Sequence, residues 1–236
     1  MLYKTRGVVF KTIRFSETSV VSKIYTERFG LQSYIINGVR SAKAKVKASL
    51  LQSLSLLEME VYHRENRNLN RIKELQAAVV FSSIPFDLMK GAVGLFMIEI
   101  LYKSIREEEA NTSLFNFIFS KINTLDKEGS PGGDYLLKFL LELSAHLGFF
   151  PNGQYTVQTP QFDIREGSFV SEGGNPMYLL DANQSNHLFS LIQEERVVLP
   201  SPDRKKLLES LLQYYQLHVP GFTRPKSLRV LEEVFR

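Results

Sequence analysis

Through the first 80 positions, hydrophobic and polar residues alternate with a period of two, the pattern of strands that bury one face. Residues 9–15 set Phe10, Ile13 and Phe15 against Lys11 and Arg14, and the polar Ser16-Glu17-Thr18 that follows reads as a turn. Residues 19–29 are rich in β-branched and aromatic side chains (Val20, Val21, Ile24, Tyr25, Thr26) and stop at Gly30. A third strand is predicted over 31–39, closed by Asn37-Gly38, then a loop of small residues and lysines over 41–49. Residues 50–62 are apolar enough for a buried strand, and 69–81 supply a fifth. Five curved strands in so short a segment suit a small barrel, and the OB-fold is the commonest five-stranded choice.

From Pro85 the period lengthens to that of helices. Leu88, Met89, Val93, Phe96, Met97, Ile100 and Leu101 form a broad apolar face, with Pro85 suited to a first helical turn. Asn111 or Thr112 is placed to cap a second helix through Phe115, Ile118, Phe119 and Ile122. After the break at Gly129-Ser130-Pro131-Gly132-Gly133, a third helix is predicted over 135–147, ending at Gly148. The Gly- and Pro-rich stretch 151–176 holds two short strand-like pieces, 161–165 and 168–172, around a turn at Glu166-Gly167. Helices follow over 186–195, from Ser201-Pro202-Asp203 onward, and over 227–235. The fold class expected is α+β: a five-stranded OB-fold barrel over 1–81, then a mostly α-helical domain over 82–236 with a small β-hairpin insertion over 150–180.

Composition narrows the chemistry. The 236 residues are 44% hydrophobic and 23% charged, a core-forming profile. The absence of cysteine excludes disulfides, thiolate-ligated zinc, iron–sulfur clusters and thiol catalysis. No apolar run approaches the ~18–20 residues that span a bilayer, so a soluble, intracellular chain with no membrane partner is expected. The net charge of +4 hides an asymmetry. Residues 1–80 carry fourteen Lys and Arg against six Asp and Glu, whereas 81–236 carry fifteen against nineteen. A basic first third concentrates the potential that attracts polyanions.

Catalytic spacings are missing. There is no Walker loop, G-x-G-x-x-G, G-x-S-x-G or Ser-x-x-Lys, and His63, His146, His187 and His218 lie far apart in the sequence. Glu107-Glu108-Glu109 and Glu232-Glu233 read as solvated runs. No catalytic residue, metal site or cofactor is expected. The informative feature is the basic segment: Arg40, Lys43, Lys45 and Lys47 interleave with small side chains that let ammonium groups reach phosphates. Lys4, Arg6, Lys11, Arg14, Lys23 and Arg28 add charge from the first two strands. Tyr25, Phe29 and Tyr34 are candidate base-stacking faces, unless they fill the barrel. Two rival readings stand beside nucleic-acid binding: a protein-interaction scaffold with a non-specific basic surface, and a metal-dependent hydrolase or nuclease. The scaffold leaves the cationic segment without a task, and the dispersed acidic residues do not suit the enzyme.

The order of motifs resembles a known family. Leu2-Tyr3-Lys4-Thr5-Arg6-Gly7-Val8-Val9-Phe10, the Ser16-Glu17-Thr18 turn, Tyr25-Thr26 and Phe29-Gly30 look like the opening of bacterial RecO proteins. Asn37-Gly38-Val39-Arg40 with its following lysines resembles their basic loop, and Leu51-Gln52 continues the match. Residues 136–147, Gly148-Phe149-Phe150-Pro151 and residues 211–218 keep the same order. The resemblance implies a recombination mediator that binds single- and double-stranded DNA and anneals complementary strands. Its implied partners are RecR and the C-terminal tail of single-strand-binding protein, with a functional link to RecA, in the bacterial cytoplasm at the nucleoid. Family members commonly carry a four-cysteine zinc site after the Leu-Gly-Phe-x-Pro segment. Residues 152–176 here contain no cysteine, so the hairpin from Phe162 to Phe169 is expected to stabilise that region by aromatic packing instead.

Overall fold

The computed structural model describes residues 1–39, 46–64, 67–171, 173–194 and 199–234. The chain packs as two compact units, Met1–Ser130 with Pro225–Arg236, and Pro131–Arg224.

In the first unit, β1 (Leu2–Arg14), β2 (Val20–Thr26), β3 (Gly30–Ile36), β4 (Leu56–Tyr62) and β5 (Asn70–Ala77) close into a barrel in the order β1-β2-β3-β5-β4. The pairing of β3 with β5 is parallel and the other neighbours run antiparallel. The first strand serves two partners, β4 along its opening half and β2 along the rest. Gly7 stands at the changeover, opposite both Thr26 and Leu57. A Cβ there would lie 2.6 Å from both Ile24 Cγ2 and Met59 Cε, so any other residue would require those side chains to shift. Val9, Ile24, Tyr34, Ile36, Leu57, Met59 and Val61 fill the interior.

The expectation of one strand over 50–62 is corrected. Leu50 and Leu51 belong to a 3₁₀ turn over Ala48–Leu51, which buries Leu51 among the barrel residues, and β4 starts only at Leu56. Between them Leu54, at φ 77°, turns the chain and donates its N–H to the Val9 carbonyl at 2.9 Å. A short apolar run does not tell a buried strand from a buried turn.

Among the described residues three helices complete this unit: α1 (Leu88–Ser104), α2 (Thr112–Lys127) and α6 (Leu228–Val234). Asn111 caps α2 as its side chain suggests, accepting from the Leu114 N–H at 3.0 Å. The first helix starts later than Pro85 because Asp87 is the stronger local signal: its carboxylate accepts from the Met89 and Lys90 N–H groups at 2.9 and 3.0 Å. The segment leaving the barrel is fastened by Asp126, which accepts from the N–H groups of Ser82, Ser83 and Ile84 at 2.8, 2.9 and 2.9 Å. Burial pushes this carboxyl up, but the hydrogen bonds from Ser82, Ile84 and Ser83 outweigh it and hold the pKa at about 2. The buried Lys90 ammonium joins the same knot through Ser83 Oγ at 2.8 Å and the Asp126 carbonyl at 3.1 Å. The connection between α1 and α2 rests on β3, where the Leu31 N–H donates to the Glu107 carbonyl at 2.9 Å. Gly30 makes that contact feasible: its φ is +60°, and a Cβ would meet the Glu107 carbonyl oxygen at 2.6 Å. The backbone of this acidic run therefore has a packing task that its side chains do not reveal.

The second unit comprises α3 (Tyr135–His146), β6 (Gln161–Asp163), β7 (Ser168–Val170), α4 (Ala182–Ile192) and α5 (Ser201–His218). The expected hairpin forms, with Phe162 opposite Phe169. The helix expected from 186 begins at Ala182, because the Asp181 side chain caps it by accepting from the Gln184 N–H at 2.8 Å. Tyr215, buried on α5, ties that helix to α3 through its hydroxyl, which donates to the Leu140 carbonyl at 2.7 Å.

Candidate nucleic-acid interface

Register fixes what the barrel shows to solvent, because residues directly opposed across strands share a face. Ile13 lies opposite Val21, Val21 opposite Ile35, Ile35 opposite Arg71, and Arg71 opposite Tyr62. This row crosses all five strands and points outward: Ile13 is 52% exposed and Tyr62 49%. Two residues away along the strands, Lys11, Lys23 and Ser33 form a second outward row. Both ammonium groups of that row lie over the Tyr102 ring of α1, at 5.2 and 5.6 Å from its centroid. A shared aromatic face lowers the cost of holding two like charges together.

The cations anticipated from sequence divide into groups. Arg40, Lys43 and Lys45 lie outside the described residues. Lys11, Arg14, Lys23, Arg28 and Lys47 are exposed and, among the described residues, take part in no salt bridge. Arg28 lies over the rings of Tyr3 and Phe29, at 5.0 and 5.8 Å. Lys4 and Arg6 differ. Lys4 faces Glu60 at 3.7 Å, and Glu60 also holds Lys73 at 2.9 Å. Arg6 forms a fork with Glu27 (2.9 and 2.7 Å), reaches Asn116 Oδ1 at 3.1 Å and covers the rings of Phe115 and Phe119. The hydrogen bond from Arg6 holds the Glu27 carboxyl below its usual range. Arg6 is thus a bracket between β1 and α2. These residues, with Glu58 and Glu74, line an open groove of about 800 Å³ on the barrel's other side, where carboxylates offset the cations.

Two of the three stacking candidates are corrected. Tyr34 is fully buried inside the barrel. Tyr25 points outward but is covered, stacked between Phe10 (5.6 Å) and Phe115 of α2 (6.2 Å), and burial followed by the charge of Glu107 pushes its hydroxyl up to about 12. Phe29 is half-buried and stacks on His63 at 3.9 Å. Among the described residues of the barrel the exposed rings are instead Tyr62 and, in the β1–β2 turn, Phe15 at 62%. Arg64, Arg67 and Arg71, not among the cations anticipated from sequence, are also exposed at or near the start of β5. The signal was present: three arginines in eight positions, immediately after a tyrosine that ends an alternating strand.

Among the described residues no group of three His, Cys, Asp or Glu is arranged to hold a metal. In the second unit aromatic rings pack around the hairpin: Phe162, fully buried, meets Phe169 at 5.1 Å and Tyr214 at 5.8 Å, and Phe169 meets Phe189 at 5.7 Å. The hairpin is also laced to its surroundings, with the Phe162 N–H donating to Ser185 Oγ at 2.9 Å and the Leu180 N–H to the Phe162 carbonyl at 2.9 Å. His218 stacks on Phe149 and its Nε2 sits 2.9 Å from the Ile164 carbonyl, a structural position.

A closed five-stranded barrel in this order, with helices following, defines an OB-fold protein. Family models described as "Recombination protein O N terminal" and "Recombination protein O C terminal" match residues 1–81 and 85–229. The chain is 36% identical over 249 residues to the DNA repair protein RecO of Bacteroides fragilis, with all of both chains covered. It is 34% identical to that of Flavobacterium psychrophilum and 27% to that of Porphyromonas gingivalis, again over the full length of each. Among solved structures, Entamoeba histolytica asparaginyl-tRNA synthetase aligns with 69% of this chain and 37% of that chain at 12% identity and a TM-score of 0.28, too low a likeness to support any inference. The chain belongs to the RecO family of DNA repair proteins.

Proposed function

We propose that this protein is a non-catalytic recombination mediator whose barrel binds single- and double-stranded DNA through its outer cationic face. The observation that carries this reading is that Lys11 and Lys23 stand side by side on the outer surface of β1 and β2, exposed and in no salt bridge among the described residues, in a chain of a DNA repair family. Charges already matched by carboxylates gain little from a phosphate, whereas cations facing water release condensed counterions when DNA arrives. Cations on two complementary strands lower the repulsion that opposes pairing, and the base pairs supply the driving free energy. The mediator works with RecR and with the C-terminal tail of single-strand-binding protein to help load RecA, in the bacterial cytoplasm at the nucleoid. Among the described residues no helix is long and apolar enough to cross a membrane.

A strand-annealing assay with and without the cognate single-strand-binding protein tests this. The protein should accelerate annealing of bare strands and retain activity on coated ones. Replacing Arg40, Lys43, Lys45 and Lys47 together by Ala should lower the log–log salt slope of binding by roughly 0.7 to 0.9 for each phosphate that is no longer neutralised. Failure to bind or anneal DNA at low salt would overturn the reading.

A further inference from the structure

We infer that Tyr102, on a helix outside the barrel, is a positioning residue for DNA binding: it holds the Lys11 and Lys23 ammonium groups as a pre-arranged pair without consuming their charge. This rests on the DNA-binding reading above and adds what fixes the cations in place. Lys11 and Lys23 are directly opposed on β1 and β2, and both are exposed. Exposed lysines ordinarily sample many rotamers, and two of them side by side repel each other. Here one ring of α1 serves both, with the Nζ atoms 5.2 and 5.6 Å from its centroid. Both distances lie within the roughly 6 Å over which a ring face attracts a cation.

The surroundings show why a ring at this position matters. A carboxylate would also hold the lysines, but it would offset their charge, as Glu60 does for Lys4 and Lys73 elsewhere on the barrel. Glu99, three residues before Tyr102 on α1, is engaged elsewhere. It accepts from the N–H groups of Lys226 and Ser227 and from Ser227 Oγ, and it pairs with Lys103 at 3.3 Å. The acidic run that follows α1 meets β3 at Leu31, which stands opposite Tyr25 and not Lys23. Among the described residues neither lysine joins a salt bridge. A ring face attracts an ammonium group from one side only, so N–H groups on the other side stay open to a phosphate. The two long side chains are then ordered on folding, and the entropy of ordering them is not lost again when DNA arrives.

The test is fluorescence anisotropy on the full-length protein with labelled oligo-dT at several salt concentrations, each variant first checked by thermal melting. Tyr102→Leu keeps apolar bulk beneath the lysine stems and removes the ring; Tyr102→Met takes its place if the leucine variant does not fold. Either should weaken binding about five- to ten-fold and leave the log–log salt slope unchanged, since both ammonium groups remain. Tyr102→Phe should bind within about two-fold of the unaltered protein. Where Lys11 and Lys23 are already Ala, Tyr102→Leu should have no further effect. In NMR spectra the Hε resonances of both lysines should be shifted upfield by the ring, with and without DNA, and should return to ordinary positions in Tyr102→Leu. Unchanged affinity on loss of the ring overturns the inference, as does an equal loss in the presence and absence of the two lysines. A ring shift that vanishes when DNA is added overturns it too, because the lysines then leave Tyr102 to bind. In those three cases a weakening by Lys11→Ala with Lys23→Ala keeps the DNA-binding reading standing. If that double variant binds as tightly as the unaltered protein, the reading and the inference fall together.

Discussion

Two sides of one barrel carry similar numbers of cations and put them to different uses. On one side Lys4, Arg6 and Lys73 sit against Glu60 and Glu27, and the hydrogen bond from Lys73 to Glu60 raises the lysine and lowers the carboxyl. On the other, Lys11 and Lys23 have an aromatic ring beneath them and, among the described residues, no carboxylate in salt-bridge range. A count of basic residues treats these sides alike. What separates them is whether the charge is still available to an incoming phosphate, and that depends on which carboxylate the register places opposite.

The comparison can be broken most severely by reversing charge on the open side. The double substitution Lys11→Glu with Lys23→Glu should weaken DNA binding by about two orders of magnitude or more at low salt, because two attractions become two repulsions. Anisotropy titration checks it, and a weakening of less than about ten-fold would place the interface elsewhere. Next in size is acid stability. Asp126 has its folded pKa depressed from 3.8 to about 2, so its contribution is fully present above the higher value and fades as pH falls toward the lower. Urea melts should show roughly 2 kcal/mol of stability disappearing across that window, and a variant with Asp126→Asn should be weaker at pH 7 and nearly insensitive to that window. Salt slopes at pH 7 should not follow this change, which separates folding from binding.

A smaller effect is expected at the bracket. Arg6→Ala should destabilise the unit by about 1 kcal/mol, the hydrogen-bonded fork being partly exposed and screened, while leaving the DNA salt slope within error. A slope lower by about 0.7 or more would move Arg6 into the interface. Smaller still, Lys4→Ala with Lys73→Ala should change DNA affinity less than about two-fold, since the removed cations were offset by Glu60. Finally, prolonged dialysis against a chelator should leave the melting temperature unchanged, with metal content by mass spectrometry well below one zinc per chain. A drop on chelation would show that the aromatic cluster around Phe162 does not stabilise the second unit alone.

These outcomes bear on what the sequence could disclose. Alternation in 9–15 and 20–26 revealed the strands, and the asymmetry of charge pointed to the barrel as the cationic part. The capping side chains Asp87 and Asp181 are legible in principle, each an aspartate placed just before a helical run. Which aromatic rings stay exposed was not legible. Tyr34 faces inward and Tyr25 outward, and Tyr25 is hidden from solvent between Phe10 and Phe115, the latter ninety residues later in the chain. Tyr62 ends a strand whose partners become evident only once Arg71 is seen opposite it. Likewise nothing local to Arg6 announces Glu27 or the rings of α2. Local pattern gives elements, whereas the availability of a charge or a ring is decided by residues distant in the chain.

The most direct test of the open face is the salt dependence of single-strand binding, measured for the unaltered protein and for two variants. With Lys11 and Lys23 both changed to Ala, the log–log slope should fall by about 1.5, at roughly 0.7 to 0.9 per neutralised phosphate. With Lys4 and Lys73 changed to Ala, the slope should stay within about 0.4 of the original. Equal slopes for the two variants, or the larger fall in the second, would contradict the claim that availability of charge, and not its number, defines the interface.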